Sequence, residues 1–185
     1  MLRTKRRTFG NIAGHVSGVN DLADLSAWTA QQLDPTLSWD SIRWLRDRWS
    51  GKLIIKGILD PEDAYIAAQV GVDAVIVSNH GGRQLDCAPS TISVVSEVAR
   101  ALGDRTEIFL DGGVRSGQDV LKALCVGADG VLIGRPFLYG LGAMGAQGVM
   151  RTLEILQKEM DLTLALCGRK SVADVGRDML MPAPF

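Results

Sequence analysis

Strand-like and helix-like stretches alternate regularly along most of this sequence, and this alternation limits the possible folds more than any other feature. Short apolar runs typical of buried strands alternate four times with longer stretches typical of helices. The predicted strands span residues 53–57, 73–78, 107–111 and 130–134. Strands that are apolar along their whole length are typical of a parallel sheet covered by helices. The pattern therefore predicts an α/β fold.

An internal repeat extends this prediction to a barrel. Shifting the sequence by 56 positions places two strand–helix units on the next two without a gap. The matched pairs are Gly57 and Gly113, Asp63 and Asp119, Ala67 and Ala123, Val70 and Val126, Gly71 and Gly127, Asp73 and Asp129, and Val75 and Val131. Such a repeat is more typical of a TIM (β/α)8 barrel than of an open sheet.

The count of strands predicts half of such a barrel, because closure takes eight strands and a typical barrel has ~250 residues. We interpret residues 35–185 as the C-terminal half barrel, with four βα units and C-terminal helices over 147–166 and within 171–180. A helix is also predicted over 38–49. Residues 1–34 are expected to form an irregular lead-in loop. The open edges of a half barrel favour pairing with another chain, so we expect a homo-oligomer.

Charge and cysteine content argue against several classes of function. A formal net charge of −1 gives no general attraction to nucleic acid or to an anionic membrane. The three cysteines are far apart and lack a CxxC motif, so we predict no metal site and a cytoplasmic protein. Nothing in the sequence predicts a membrane span or a signal peptide. The basic cluster Arg3, Lys5, Arg6 and Arg7 is interpreted as a solvated tail, in preference to a membrane contact.

The polar stretch after the second predicted strand is the strongest candidate for chemistry. His80 titrates near neutral pH, and Arg83 offers two parallel N–H donors to a carboxylate. Gly81 and Gly82 allow a ligand to approach the backbone closely. Because barrel active sites form at the carboxyl ends of strands, this stretch indicates acid–base work on a small carboxylate. The alternative is a structural histidine whose hydrogen bonds are satisfied within the protein.

The other strand ends carry residues of related chemistry. Lys56 ends the first strand and would be costly to bury without an anionic partner, unless it reaches the surface. The last two strands end in glycine–arginine loops, which are typical of phosphate sites or of simple turns. These loops comprise Asp111, Gly112, Gly113, Val114 and Arg115 and, after the fourth strand, Gly134 and Arg135.

The motifs LIIKGI, VIVSNHGGRQLD, FLDGGVRSGQDVLKAL and GVLIGRPFLYGL resemble those of the FMN-dependent 2-hydroxy acid dehydrogenase and oxidase family. This family includes L-lactate dehydrogenases, glycolate oxidases and mandelate dehydrogenases. The resemblance covers nearly the whole chain from about Thr36. The stretch HVSGVNDLADLSAWTAQQLDPTLSWDSIRWLR, residues 15–46, looks closest to the bacterial L-lactate dehydrogenase branch.

The resemblance implies a role for each candidate residue. His80 would remove the proton of the substrate C2 hydroxyl while hydride passes to flavin N5, and Arg83 would hold the substrate carboxylate. Lys56 would stabilise negative charge on reduced flavin, and Ser78 would contact its isoalloxazine. The residues of the two glycine–arginine loops would hold the ribityl phosphate of FMN. Electrons would leave to a quinone, a cytochrome or oxygen, and some members dock on membranes to reach quinones.

The resemblance also implies that elements of the family are missing from this sequence. Its first four strands, its substrate-contacting tyrosines and the aspartate that orients the catalytic histidine have no counterpart here. A base without its orienting carboxylate is a weaker catalyst. Two alternatives to an (S)-2-hydroxy acid oxidising enzyme therefore stay open. One is a silent half barrel that binds FMN or a complementary half, and the other is a different phosphate-binding barrel enzyme, such as an isomerase.

Overall fold

The computed structural model describes residues 15–18, 22–32 and 34–181. The seven helices in these residues are α1 (Leu22–Gln31), α2 (Trp39–Arg48), α3 (Pro61–Val70), α4 (Thr91–Leu102), α5 (Gly117–Cys125), α6 (Arg135–Met144) and α7 (Ala146–Leu166). The strands in the same residues are β1 (Ile54–Ile58), β2 (Ala74–Val77), β3 (Glu107–Leu110) and β4 (Gly130–Val131). The chain divides into two compact units, residues 1–41 and residues 42–185.

The four strands form one parallel sheet in the order β1-β2-β3-β4, as the alternating pattern predicts. Each strand lies beside its neighbour in sequence, which is the arrangement of consecutive strands in a (β/α)8 barrel. Val75 and Val77 of β2 are fully buried, and so are Val95 and Val98 of α4. This burial of both a central strand and the helix after it confirms an α/β chain with the fold of part of a barrel.

The internal repeat corresponds to repeated contacts. The carboxylate of Asp73 accepts a hydrogen bond of 2.8 Å from the backbone N–H of Leu53, at the start of β1. The carboxylate of its repeat partner Asp129 accepts one of 2.7 Å from Ile108 in β3. The backbone N–H of each aspartate also donates to the carbonyl of that same residue. Both aspartates therefore tie the beginning of one strand to the strand before it.

Local capping signals account for the helices that border the site. The Asp60 side chain accepts from the N–H of Glu62 at the start of α3, and Gly71 ends that helix with a left-handed φ of 83°. Ser116 and Asp119 form a capping box at the start of α5. These residues are close in sequence to the helix ends that they stabilise.

The prediction of an irregular lead-in over residues 1–34 is wrong for part of its length, because α1 spans Leu22–Gln31. This segment contains leucine, alanine and glutamine but neither glycine nor proline, so its helix propensity is favourable. The hydroxyl of Thr29 donates to the carbonyl of Leu25 within it. Residues 1–14, with the basic cluster, lie outside the described residues. The domain boundary near residue 34 stays a prediction.

Two differences concern the C-terminal region. The glycine-spaced segment after β4 forms the regular helix α6, although no helix is predicted there. The single short helix expected within residues 171–180 is instead a pair of 3-10 turns, Val172–Asp174 and Arg177–Met179, because Val175 and Gly176 between them are extended. No helix among the described residues is long and apolar enough to cross a membrane.

Candidate functional site

The carboxyl ends of the strands surround a cleft of about 310 Å³, a volume within the range of small-molecule sites. Ten of the eleven predicted site residues line it: Lys56, His80, Arg83, Asp111, Gly112, Gly113, Val114, Arg115, Gly134 and Arg135. The eleventh, Ser78, is buried and its hydroxyl contacts Lys56. The structure therefore brings together residues that are up to 79 positions apart in the sequence.

Lys56 has the anionic partner that its place in an apolar strand requires. Its Nζ donates to Oγ of Ser78 at 2.5 Å and forms a short ion pair with the carboxylate of Asp111. The lysine side chain is 46% exposed and the aspartate side chain 18%, so the ammonium group is held at the cleft surface. The second carboxylate oxygen of Asp111 is buried and has no hydrogen-bond partner among the described residues.

The loop that carries His80 has an unusual backbone. His80 has a φ of 56°, and the two glycines after it also have left-handed φ values of 68° and 71°. The N–H of His80 donates to Oγ of Ser78 at 3.1 Å. Oδ1 of Asn79 accepts from Gly82, and its Nδ2 donates to the carbonyl of Pro89 at 3.1 Å. Asn79 thus links the two ends of the loop that carries His80.

The side chains of His80 and Arg83 are unpaired within the part of the chain that the structure describes. Neither the imidazole nor the guanidinium group makes a hydrogen bond or an ion pair to any residue in those ranges. Both residues line the cleft, and Arg83 is exposed. A basic group and a forked cation that both remain free for a ligand can bind a small carboxylate and exchange a proton with it.

The N-terminus of α5 is already occupied by side chains of the protein. Asp119 accepts hydrogen bonds of 3.0 Å from the N–H groups of Arg115 and Ser116. Glu159 of α7 accepts one of 2.7 Å from Gly117. Burial raises the pKa of Asp119, but the hydrogen bonds from Arg115 and Ser116 outweigh burial and leave that pKa below its ordinary value. The N–H groups of Arg115, Ser116 and Gly117 are therefore already paired within the protein, unlike those of helix starts that bind anions.

The anion-binding groups of the cleft lie elsewhere. The N–H groups of Gly113, Val114 and Gly134 donate no hydrogen bond to any described residue. Gly134 precedes α6, which has no side-chain cap. Arg115 and Arg135 line the cleft beside these backbone donors. Free N–H groups, an uncapped helix start and two guanidinium groups form a donor set that suits a phosphate.

Sequence reasoning misses several residues of this site. Leu132, Ile133, Pro136 and Leu138 also line the cleft, together with Gly81, which the sequence marks only as a point where a ligand can approach the backbone. Leu132 and Ile133 belong to the last predicted strand, and Pro136 and Leu138 follow Gly134–Arg135. Their closeness in sequence to this predicted loop is a signal that could have identified them. Asn79 lies within the motif VIVSNHGGRQLD that the sequence singles out, but no signal in the local sequence points to Thr91, which contacts the loop after β3.

Comparison with known proteins places these features in a family. The model of the family described as FMN-dependent dehydrogenase matches residues 3–182. An L-lactate dehydrogenase of Caulobacter vibrioides is 47% identical over 171 residues, which are 92% of this chain and 45% of the relative. An L-lactate dehydrogenase of Pectobacterium atrosepticum is 43% identical over 180 residues, 97% of this chain and 47% of that protein. The chain spans about half the length of the curated relatives that it matches.

Solved structures agree with this relation. The monotopic membrane protein (S)-mandelate dehydrogenase matches with a TM-score of 0.82 and 42% identity over 90% of this chain and 44% of that chain. A mandelate oxidase variant with a monooxide FMN adduct matches with a TM-score of 0.72 and 42% identity over 75% of this chain and 44% of that chain. With its strand-end lysine, its histidine–arginine loop and its family match, the chain belongs to the FMN-dependent 2-hydroxy acid dehydrogenase family.

Proposed function

We propose that this chain takes part in the FMN-dependent oxidation of an (S)-2-hydroxy acid, with L-lactate as the substrate, to the corresponding 2-oxo acid. The observation that carries the proposal is that one cleft holds a strand-end lysine, a phosphate-type donor set, and an imidazole and a guanidinium group that pair with no described residue. The names of the L-lactate dehydrogenases at 43 to 47% identity support lactate as the substrate. We also propose that residues 35–185 carry this function and that 1–34 are a lead-in.

The residues of the cleft fit FMN in charge and in hydrogen-bonding capacity. The backbone donors of Gly113, Val114 and Gly134, with Arg115 and Arg135, would hold a phosphate dianion. The unpartnered buried oxygen of Asp111 is suited to accept a hydrogen bond from a sugar-alcohol hydroxyl. Gly112 and Gly113, with φ values of 91° and 90°, keep this wall free of side chains.

His80 and Arg83 would divide the work on the substrate. The guanidinium group of Arg83 would bind the carboxylate with two parallel N–H donors and so place C2 in a fixed orientation. The imidazole of His80 would accept the proton of the C2 hydroxyl as the C2–H bond breaks. When bound, FMN supplies the acceptor for the hydride from C2, which completes the loss of two electrons and two protons from the substrate.

Lys56 would act on the electrostatics of the cofactor side. Its ammonium group is held by Ser78 and Asp111 at the surface of the cleft, so it can face an anionic group without moving. A fixed positive charge costs no reorganisation when negative charge develops beside it. Lys56 would therefore favour the reduced form of a bound flavin.

An anaerobic titration tests the proposal. The purified chain is titrated with FMN while the visible spectrum is recorded, and L-lactate is then added without oxygen. We expect a perturbed flavin spectrum on binding and loss of the visible flavin absorbance on reduction. D-lactate is the matched control, because it has the same charge and the opposite configuration at C2. No substrate-dependent bleaching would refute the catalytic proposal.

A second candidate function is FMN binding without turnover. It is favoured by the His80 imidazole, which has no orienting carboxylate among the described residues, because an unoriented base is a weak catalyst. The same titration separates the two candidates, since a perturbed flavin spectrum that L-lactate leaves unchanged supports binding alone.

The electron acceptor and the membrane contact are further parts of the proposal. A quinone, a cytochrome or oxygen would reoxidise the flavin. The matched (S)-mandelate dehydrogenase is a monotopic membrane protein, which supports a peripheral contact of this chain with a membrane. The basic cluster at Arg3, Lys5, Arg6 and Arg7 supplies the charge that such a contact needs.

A further inference from the structure

Thr91 is a fully buried polar residue that the proposed mechanism does not use. It begins α4, and only 1% of its surface is exposed. Its hydroxyl donates a hydrogen bond of 2.5 Å to the backbone carbonyl of Asp111 and lies 3.3 Å from the carbonyl of Gly112. The carbonyl of Asp111 accepts no other hydrogen bond from the residues that the structure describes. Thr91 is thus a direct link between α4 and the loop after β3.

The loop after β3 is closely held at the point where Thr91 meets it. Gly112 has a φ of 91°, and a Cβ added there would lie 3.1 Å from Oγ1 of Thr91 and 3.2 Å from Oδ1 of Asn79. Asn79 is also the residue that links the two ends of the His80 loop. One junction of Thr91, Asn79 and Gly112 therefore connects the loop of the proposed base with the loop of the proposed phosphate site.

We propose that Thr91 is a positioning residue for the cofactor loop, an inference that rests on the proposed function. Its hydroxyl fixes the carbonyls of Asp111 and Gly112. This fixes the direction of the Asp111 carboxylate toward Lys56 and the exposure of the N–H groups of Gly113 and Val114. A carbonyl that loses its only hydrogen-bond donor is left unsatisfied, which favours a shift of the loop toward another partner. The Thr91 hydroxyl would therefore set the affinity of this loop for the phosphate and sugar-alcohol parts of FMN.

Three substitutions test this inference. Thr91→Val removes the hydroxyl and keeps the size of the side chain, whereas Thr91→Ser keeps the hydroxyl and removes the methyl group. Thr106→Val is the matched control, because Thr106 is also buried, precedes the other end of β3 and makes no side-chain hydrogen bond to a described residue. The measurements are the dissociation constant of FMN, the thermal midpoint, and amide hydrogen exchange of residues 110–116 in the FMN-free protein.

We expect Thr91→Val to weaken FMN binding roughly tenfold and to speed exchange in residues 110–116 by a similar factor, which is the effect of about one lost hydrogen bond. Thr91→Ser and Thr106→Val should stay within about twofold of wild type in both measurements. If Thr91 contributes only to stability, Thr91→Val should lower the thermal midpoint, and hydrogen exchange in residues 110–116 should not change more than in the rest of the protein. If Thr91→Val does not fold, Thr91→Ala and Thr91→Ser are compared instead, because these two variants also differ by the hydroxyl group.

The outcomes separate this inference from the proposed function. Absence of FMN binding by the wild-type chain would refute the proposed function, and faster exchange in Thr91→Val alone would still support the positioning of the loop. Unchanged exchange and affinity in Thr91→Val would overturn the inference. An equal loss in Thr91→Ser would also overturn it, because the methyl group and not the hydroxyl would then be responsible. An equal loss in Thr106→Val would also overturn it, because the effect would then not be specific to Thr91.

Discussion

His80 has a φ of 56°, a left-handed conformation that few residues other than glycine adopt. Such a conformation costs ~1–3 kcal/mol and persists where the surrounding structure determines it. Asn79 supplies that support, since it accepts from Gly82 and donates to Pro89. The side chain held in this way lines the cleft and has no partner among the described residues. The local backbone therefore presents the imidazole to a ligand instead of to the protein.

His80→Gln should slow the reduction of the flavin and leave the binding of FMN nearly unchanged. Glutamine keeps a polar side chain of similar reach but cannot accept the substrate proton, so flavin reduction by L-lactate should slow by ~10²–10⁴-fold. The dissociation constant of FMN should change by less than about threefold, because the proposed phosphate donors are untouched. Anaerobic stopped-flow absorbance measures the reduction rate, and fluorescence titration measures binding. Reduction at the wild-type rate would show that His80 is not the base.

Helices α6 and α7 show how the packing of elements supports the site. They meet at Gly140 and Gly148, where the two backbones lie so close that an added Cβ on either glycine would collide with the other residue. The carboxyl-end loop Gly134–Arg135 leads directly into α6, and Glu159 of α7 caps the start of α5. Helix α7 thus packs against α6, whose N-terminus has no side-chain cap, and it also caps the N-terminus of α5.

Two alanine substitutions in α6 and α7 test this packing. Gly148→Ala should destabilise the protein by about 1–3 kcal/mol, because the new methyl group must displace the backbone of Gly140. Gly142→Ala in α6 is the matched control, since nothing lies within 4 Å of its added Cβ, and it should stabilise the helix by about 1 kcal/mol. Urea unfolding followed by circular dichroism measures both. Equal effects of the two changes would contradict the close contact.

The whole molecule is nearly neutral, but its charge is unevenly distributed. The net charge is −1, whereas the cleft gathers Lys56, Arg83, Arg115 and Arg135 around a single carboxylate, that of Asp111. A cleft lined by charges of one sign concentrates its field and attracts ligands of the opposite sign. This distribution suits the two anions that the proposed function requires, a hydroxy acid and a phosphate group.

Acid stability of the molecule should depend on Asp73, which joins β1 to β2 at the opposite end of the sheet. A hydrogen bond from Lys52, together with donors from Leu53 and Arg46, lowers the pKa of Asp73 to about 2. Because this pKa lies below the ordinary value of about 3.9, ionised Asp73 stabilises the folded state above about pH 4. That contribution is lost as the pH falls from about 4 through about 2.

We therefore expect Asp73→Asn to be less stable than wild type at pH 7 and the difference to shrink between about pH 4 and pH 2. Urea unfolding at a series of pH values measures the free energy of unfolding of both proteins. Asp104→Asn is the control, because the exposed Asp104 carboxylate makes no hydrogen bond or ion pair to a described residue. A difference between wild type and Asp73→Asn that is constant over this range would contradict the prediction.

The basic cluster near the N-terminus should attract the chain to anionic membranes. We expect the chain to bind vesicles with anionic phosphatidylserine at low salt and to lose this binding at high salt, because screening shortens the reach of surface charges. Replacing Lys5, Arg6 and Arg7 by glutamine should weaken binding several-fold for each residue, at about 1 kcal/mol per basic residue. Neutral vesicles are the control in a sedimentation assay. Binding that is absent, or that salt does not change, would remove the proposal.

Much of the fold and the membership of the site follow from the sequence alone, because they depend on neighbours in the chain. Apolar runs predict the four strands, and the carboxyl end of each strand identifies the residues that share the cleft. In a parallel sheet these strand ends must meet at one edge, so local pattern is enough to group the candidate residues.

Only the tertiary structure decided which of these residues bind one another. Asp111 pairs with Lys56 across 55 positions, and Glu159 caps Gly117 across 42 positions. The close contact of Gly140 with Gly148 forms the α6–α7 pair where glycine spacing alone predicts no helix. The physical reason is that periodicity and capping record interactions within a few residues. Partners that are distant in sequence depend on how whole elements pack. That packing leaves the His80 and Arg83 side chains without a partner among the described residues and pairs the N–H of Gly117, at the start of α5, with Glu159.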